Sequence, residues 1–168
     1  MARRRTTIVG PDGSPVASID TDWAMIRDDG VPARIPAAFP ALLGSDVPTF
    51  TPHRVALPSE TGASIAGHGG RVSDGRAAAT LAFEVRPQEL DPMGHANNAV
   101  YLDWLDEAVA RVAPDVLETV PRTYRLEYLQ PATPGEPLLG RAWPTGPASA
   151  AYRLTDPSAE LLRGTITA

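Results

Sequence analysis

The residues best suited to chemistry in this sequence lie between Asp91 and Asn98. The stretch reads Asp-Pro-Met-Gly-His-Ala-Asn-Asn and combines a carboxylate, Asp91, with an imidazole, His95, and two carboxamides. A carboxylate can act as a general base, an imidazole can move a proton, and free N–H groups at a helix start can stabilise an oxyanion. Acyl transfer requires these groups, so the stretch predicts an acyl-transfer site. Ordinary turn and capping chemistry uses the same residue types, and that structural role is the alternative.

An amphipathic helix is needed directly after this stretch to position it. The pattern predicts one over residues 97–112, with Asn97 or Asn98 as the N-cap and Pro114 as the stop. Its apolar stripe recurs at spacings of three and four: Tyr101, Trp104, Leu105, Ala108 and Val112.

The rest of the chain predicts strands and turns. Turn chemistry over residues 10–13 indicates a hairpin, and short alternating segments after the helix indicate an antiparallel sheet. One sheet curled around one central helix is an α+β fold. We therefore divide the chain into a β-hairpin (1–28), a Pro/Gly-rich linker (29–79) and a main domain (80–168). The predicted strands cover residues 6–9, 16–26, 80–86, 122–130, 137–143, 149–155 and 161–167.

Composition excludes several kinds of site. The chain has no cysteine and three histidines, which excludes Cys-based chemistry and disfavours a multi-histidine metal site. We expect His53 and His68 to be exposed loop residues, and we expect no metal and no cofactor. No apolar run approaches the roughly 20 residues of a membrane span, so we expect no membrane partner and a cytoplasmic location.

The charge distribution argues against a nucleic-acid partner. The formal net charge is −5, and residues 80–168 carry 7 Arg against 12 Asp and Glu. An acidic domain lacks the basic face that binds phosphates. We expect the Arg3-Arg4-Arg5 run to be a solvated terminus.

The string from Asp91 to Ala108 closely resembles a known signature. It reads Asp-Pro-Met-Gly-His-Ala-Asn-Asn-Ala-Val-Tyr-Leu-Asp-Trp-Leu-Asp-Glu-Ala, and it is similar to the string that opens the central helix of hotdog-fold thioesterases. The resemblance covers residues 78–168 and implies a hotdog domain there. Trp23 and residues 28–36 are similar to the junction in acyl-acyl carrier protein (acyl-ACP) thioesterases, which carry two hotdog units in tandem. The hairpin would then be the remnant of a shortened first unit.

The resemblance implies hydrolysis of acyl thioesters of acyl carrier protein or coenzyme A. Asp91, His95 and Asn97 match positions implicated in catalysis. Glu107 matches a helix carboxylate that some bacterial relatives use, although it also fits a solvent-facing helix residue. Two departures stand out: plant-type members carry Asn at the place of Met93, and a catalytic Glu where this chain has Gln130-Pro131.

The same resemblance suggests where a substrate would bind. The thioester carbonyl would accept hydrogen bonds from N–H groups between Gly94 and Asn98. The acyl chain would lie near Met93, Tyr101 and Trp104, although core packing is the alternative for the two aromatic residues. An acidic carrier protein or the phosphates of coenzyme A would meet Arg122 and Arg125, unless these are simply solvated.

Two other functions stay open on this fold. One is a non-catalytic hotdog module that binds acyl thioesters or serves as a dimerisation partner, and the other is a hydratase or dehydratase, which the motif favours less. A single sheet leaves its edges and one helix face uncovered. We therefore expect a homodimer or a pairing with another hotdog unit.

Overall fold

The chain divides into two compact units, Met1–His53 and Arg54–Ala168. The computed structural model describes residues 2–27, 32–33, 36, 38, 54–60 and 78–168. The boundaries predicted after residues 28 and 79 stay predictions. His53 and His68 lie outside the described residues.

The first unit contains the predicted hairpin. Strands β1 (Ala2–Val9) and β2 (Pro15–Trp23) pair antiparallel. The turn between them closes where Gly13 adopts a φ of 81°, a left-handed conformation that favours glycine. Two short strands, β3 (Met25–Ile26) and β4 (Pro32–Ala33), also pair.

Two of the three exposed N-terminal arginines form ion pairs across the hairpin. Arg3 faces Asp22 across the hairpin and donates to both carboxylate oxygens, at 2.6 and 2.7 Å. Arg5 does the same with Asp20, at 2.7 and 2.8 Å. Arg3, Arg4 and Arg5 are exposed, as expected of a solvated run, and strand pairing in addition places Arg3 and Arg5 each opposite a carboxylate.

The second unit is built on a five-stranded antiparallel sheet of order β5-β7-β8-β9-β6. This confirms the predicted α+β class. Strand β6 pairs with β9 and not with β7, the next strand in sequence, so it forms one edge of the sheet. The strands are β5 (Ala79–Phe83), β6 (Thr123–Tyr128), β7 (Leu138–Gly146), β8 (Ser149–Thr155) and β9 (Glu160–Thr167).

The predicted helix is present but begins later. Helix α1 spans Val100–Val112, three residues after the predicted start. It ends where Ala113 leaves the helical region, with a φ of −148°. A second short helix, α2 (Pro114–Glu118), follows, where the sequence predicted only a stop. Proline at the first helical position needs no N–H partner, which is why Pro114 can begin a helix as well as end one.

Helix α1 packs against the sheet through its apolar stripe. Leu105, Ala108 and Val109 are fully buried. The helix approaches closely because Gly164 on β9 has no side chain: a Cβ there would lie 3.0 Å from Leu105 Cδ1. The hydrophobic core therefore lies between one face of the sheet and this helix, and burying it stabilises the unit by removing apolar surface from water.

Residues 54–60, which we call the strap, are bound to the sheet of the second unit. The Val55 N–H donates to Glu127 Oε2 on β6 at 3.0 Å. Trp143 Nε1 on β7 donates to the Pro58 carbonyl at 3.2 Å. The strap therefore belongs to the main unit, although the sequence groups it with the linker. None of the described helices is long and apolar enough to cross a membrane.

Candidate active site

The segment between the 3-10 turn at Pro87–Glu89 and helix α1 is a tight loop. The Gly94 N–H donates to the Asp91 carbonyl at 3.0 Å, which closes a turn with Pro92 at its second position. Gly94 has a φ of 81°, a conformation that a side chain would strain. The Asp91 N–H donates to the His95 carbonyl at 2.8 Å. These bonds place Asp91 and His95 side by side at the neck of the loop.

The Asp91 carboxylate has two different oxygens. Its Oδ1 accepts the N–H of Met93 at 2.8 Å and the N–H of His95 at 3.1 Å. Its Oδ2 has no hydrogen-bond partner among the described residues. One oxygen therefore holds the loop, and the other is available to a substrate or a water molecule.

A second loop, which follows β6, closes on the first. The Ala96 N–H donates to the Ala132 carbonyl at 2.9 Å. The Ala132 N–H in turn donates to the Tyr101 hydroxyl at 2.8 Å. Between the two loops lies an open pocket of about 200 Å³, lined by Asp91, His95, Ala96, Asn98, Tyr101, Tyr128, Leu129, Gln130 and Pro131.

Most of the N–H groups expected to bind a carbonyl are already used. Those of Gly94, His95, Ala96 and Asn97 donate to acceptors within the protein. Within the described chain, the Asn98 N–H has no acceptor. Asn98 lines the pocket, just before the N-terminus of α1, where the helix dipole adds partial positive charge. Of the N–H groups of residues 94–98 that were expected to bind the thioester carbonyl, only that of Asn98 is therefore free among the described residues.

Two tyrosines form one wall of the pocket. The rings of Tyr101 and Tyr128 meet edge to face, with centroids 5.2 Å apart. Tyr128 is partly buried, and this desolvation raises its pKa to about 12, with a further contribution from Tyr101. Burial also raises the pKa of Tyr101, and the charge of Asp91 acts in the same direction. Both phenols are therefore neutral and able to donate hydrogen bonds at neutral pH.

Five of the predicted site residues do not line this pocket, and Gly94, which shapes the loop as described above, is one of them. Met93 is 78% exposed and Trp104 is 2% exposed, packed on Phe83 and Tyr101 in the core. The side chain of Asn97 accepts the Ala99 N–H at 3.0 Å and so caps the turn that leads into the helix. Glu107 is exposed on α1 and does not line the pocket. Asp91 is the one carboxylate among the residues that line it.

Sequence reasoning did not select Tyr128 or Gln130 as site residues. Tyr128 lies within the strand predicted over residues 122–130, and nothing in its local sequence marks it as functional. Gln130 had a signal, since it occupies the place of a catalytic Glu in plant-type relatives. It lies in the pocket, where its neutral amide can bind polar groups but cannot act as a base.

The two candidate carrier-binding arginines differ in their surroundings. Arg122 donates to the Leu117 carbonyl and lies over the Tyr124 ring at 5.7 Å. Arg125 is exposed and has no partner among the described residues. In the described ranges no three His, Asp or Glu side chains gather as a metal site requires.

Comparison with known families and structures gives two findings. Residues 72–139 match the acyl-ACP thioesterase C-terminal domain family. A search of curated proteins returned no match.

Two solved structures are similar over most of the chain. One is a protein from Lactobacillus plantarum described as an oleoyl thioesterase, with a TM-score of 0.66 and 21% identity; the alignment covers 98% of this chain and 61% of that one. The other is an acyl-ACP thioesterase from Bacteroides thetaiotaomicron, with a TM-score of 0.64, 16% identity and the same two coverages. At these identities the likeness shows the fold, and it confirms the predicted hotdog fold. The chain spans 61% of the length of each protein.

Proposed function

We propose that this chain, whose resemblance to the C-terminal part of acyl-ACP thioesterases is confirmed, hydrolyses acyl thioesters to a free acid and a thiol. The observation that carries the proposal is that three residues line one pocket: Asp91, whose Oδ2 has no partner in the described part of the chain, His95, and Asn98, whose N–H has none there either.

Asp91 is the base in this proposal. Its Oδ2 takes a proton from a water molecule, and the resulting hydroxide attacks the thioester carbonyl carbon. Oδ1 meanwhile stays bound to the N–H groups of Met93 and His95, which holds the carboxylate in one orientation. Glu107 is less suited to the role, because it lies outside the pocket.

The Asn98 N–H stabilises the negative charge that develops on the carbonyl oxygen. As the tetrahedral intermediate collapses, the carbon–sulfur bond breaks and the thiolate leaves. A thiol has a pKa near ~8.5, so its departure needs little acid assistance. His95 orients the water or the thioester, and the proton held by Asp91 passes to the leaving thiolate, directly or through His95, which regenerates the carboxylate.

The size of the pocket bears on the substrate and on assembly. A volume of about 200 Å³ is below the roughly 300–1,000 Å³ of sites that enclose a drug-sized ligand. It can hold the thioester and a few carbons, but not a long acyl chain. We therefore propose that a second hotdog unit, from another copy or another chain, completes the acyl-binding site along an uncovered edge of the sheet.

Acyl carrier protein and coenzyme A are both open as carriers. A carrier protein with acidic helices fits Arg125, which is exposed and has no partner in the described part of the chain. Comparing turnover of the same acyl group on the two carriers, with Arg125→Ala beside the wild type, separates them. If Arg125→Ala loses turnover only of the acyl group on acyl carrier protein, this supports acyl carrier protein as the carrier.

The test of hydrolysis is turnover of medium- and long-chain acyl thioesters by the full chain. Asp91→Asn keeps an oxygen for the two backbone N–H groups but removes the charge, and we expect it to lose about 10²-fold or more in kcat. Asp156 offers a matched control, because its Oδ1 also accepts two backbone N–H groups, from Ser158 and Ala159, and Asp156 does not line the pocket. Asp156→Asn should keep its activity. Equal activity in Asp91→Asn and wild type, or a larger loss in Glu107→Gln, would contradict the assignment.

A non-catalytic acyl-thioester-binding module is the second candidate. The observation that favours it is Gln130, a neutral amide that lines the pocket, at the place where the resemblance implies a catalytic Glu in plant-type members. Saturable binding of an acyl thioester with no release of thiol by the wild-type chain would select this function.

A further inference from the structure

The backbone around Asn98 is held by three hydrogen bonds. Tyr128 donates its hydroxyl to the Asn98 carbonyl at 2.9 Å. On the other side of that peptide, the Ala99 N–H donates to Asn97 Oδ1 at 3.0 Å. The preceding peptide is held by its own carbonyl, since Asn97 O accepts the Val100 N–H at 2.9 Å. Both peptide groups that flank Asn98 are therefore fixed.

This fixed geometry sets the direction of the Asn98 N–H. The N–H belongs to the peptide whose carbonyl is bound by Val100, and it has no acceptor of its own in the described part of the chain. A donor contributes most to catalysis when it is oriented before the reaction, because no reorganisation is then needed as charge develops. The three bonds have this effect on Asn98.

Tyr128 is the one member of this group that comes from a distant part of the sequence. It is the last residue of β6, and its ring is packed edge to face on Tyr101, which itself binds the Ala132 N–H. The position of the phenol is thus set by the sheet and by the core helix. Its hydroxyl is protonated at neutral pH, since the ordinary pKa of a phenol is about 10 and partial burial raises the pKa of Tyr128 further.

We infer that Tyr128 is a positioning residue of the site: by holding the Asn98 carbonyl, it aims the Asn98 N–H at the carbonyl oxygen of the thioester. The inference rests on the proposed function for its substrate. It assigns to Tyr128 a role distinct from that of the base, Asp91, and one exerted through the backbone of another residue.

The competing explanation is that the Tyr128 hydroxyl only fastens the loop. Loss of the hydroxyl would then loosen the pocket as a whole, so that KM rises and stability falls while the polarisation of a bound carbonyl stays as it was. If Tyr128 instead orients the Asn98 N–H, loss of its hydroxyl should lower kcat, leave KM nearly unchanged and make the bound carbonyl less polarised.

The experiment uses the full chain, the variant Tyr128→Phe and the control Tyr124→Phe. Tyr124 lies on the same strand, but its hydroxyl binds Asp106 on α1 at 3.0 Å and not the loop. The probe is the ketone analogue of octanoyl-CoA, in which a methylene separates the carbonyl from the sulfur, labelled with ¹³C at the carbonyl. Infrared difference spectra give the carbonyl frequency when bound, and steady-state assays with octanoyl-CoA give kcat and KM.

We expect the wild type and Tyr124→Phe to lower the carbonyl frequency of the bound ketone by the same amount, and Tyr128→Phe to lower it less. We also expect kcat to fall about tenfold in Tyr128→Phe, which is less than the roughly 10²–10³-fold cost of removing a direct donor. Equal frequencies in wild type and Tyr128→Phe overturn the inference, as does a ketone that shows no shift on the wild type.

Failure of the proposed function gives a different result. If the wild type shifts the ketone frequency and Tyr128→Phe does not, but no thioester is hydrolysed, then hydrolysis is refuted and the role of Tyr128 stands for a binding site. If hydrolysis occurs and the two frequencies agree, hydrolysis stands and the role of Tyr128 is refuted.

Discussion

Two tyrosines in the second unit differ in one respect that a stability measurement can detect. The hydroxyl of Tyr101 accepts the Ala132 N–H at 2.8 Å. The hydroxyl of Tyr152, on β8, is fully buried and has no hydrogen-bond partner among the described residues. Burial raises the pKa of Tyr152, with a further contribution from the charge of Glu107. Tyr101→Phe and Tyr152→Phe each remove a single oxygen atom, but they should change the free energy of unfolding in opposite directions.

The expected size of each change follows from the hydrogen bonds. In Tyr101→Phe the buried N–H of Ala132 loses its acceptor, so the free energy of unfolding should fall by about 1–3 kcal/mol. In Tyr152→Phe a buried group with no partner disappears, so the free energy of unfolding should rise by about 1 kcal/mol. The two variants should therefore differ by about 2–4 kcal/mol.

Urea unfolding followed by tryptophan emission is the suitable assay. Trp104 and Trp143 are each 2% exposed in this unit, so their emission changes when it unfolds. The comparison holds if the dependence of the free energy on urea is the same in all three proteins. A fall of 1 kcal/mol or more in Tyr152→Phe, comparable to that in Tyr101→Phe, would refute the reasoning, because it would mean that the Tyr152 hydroxyl has a partner.

Three more predictions follow from the fold. Gly140→Ala should lower the free energy of unfolding by about 1–3 kcal/mol in the same urea assay, because the new Cβ would lie 2.5 Å from Phe83 Cε2; no loss would contradict the close approach. The pKa of Tyr128 is raised to about 12 in the folded state from roughly 10 in the unfolded chain, so its contribution to stability should be complete below about pH 10 and lost between there and pH 12. Tyr128→Phe should flatten the slope of unfolding free energy in that window, and an unchanged slope would contradict the assignment. Glu127→Leu should speed hydrogen exchange at the Val55 N–H, whereas Glu127→Gln, which keeps an acceptor, should change it little; equal rates in the two variants would mean that the bond does not hold the strap.

Much of the fold could be predicted because periodicity is a local property. The strand over residues 149–155 was predicted with the bounds that the structure has, since its small and apolar residues are bounded by clear turn residues. The helix was predicted from its apolar stripe, but its start was placed three residues early. The predicted N-cap at Asn97 or Asn98 was wrong: the N-cap is Ala99, which makes no side-chain cap bond, and the Asn97 side chain instead accepts the Ala99 N–H in the turn before the helix.

The placement of β6 could not be predicted from local patterning. Its alternating residues identify a strand, but sequence proximity suggests pairing with β7, whereas β6 pairs with β9 at the sheet edge. Partner choice depends on which apolar faces must cover the helix, and that is a property of the whole sheet. The strap was assigned to the linker for a related reason, because its bonds to Glu127 and Trp143 join residues more than 70 positions apart.

The candidate site also has a part that the sequence predicts and a part that depends on the tertiary structure. Asp91 and His95 are brought together by a turn of four residues, so proline, glycine and a short side-chain acceptor are sufficient to determine their proximity from sequence. Only the tertiary structure decided that Tyr128 and Gln130 face them and that Glu107 does not, because those relations depend on where an edge strand ends beside a helix. A short turn is determined by adjacent residues and can be predicted from them. The wall of the pocket that contains Tyr128 depends on packing between elements about 30 residues apart, which the local sequence does not specify.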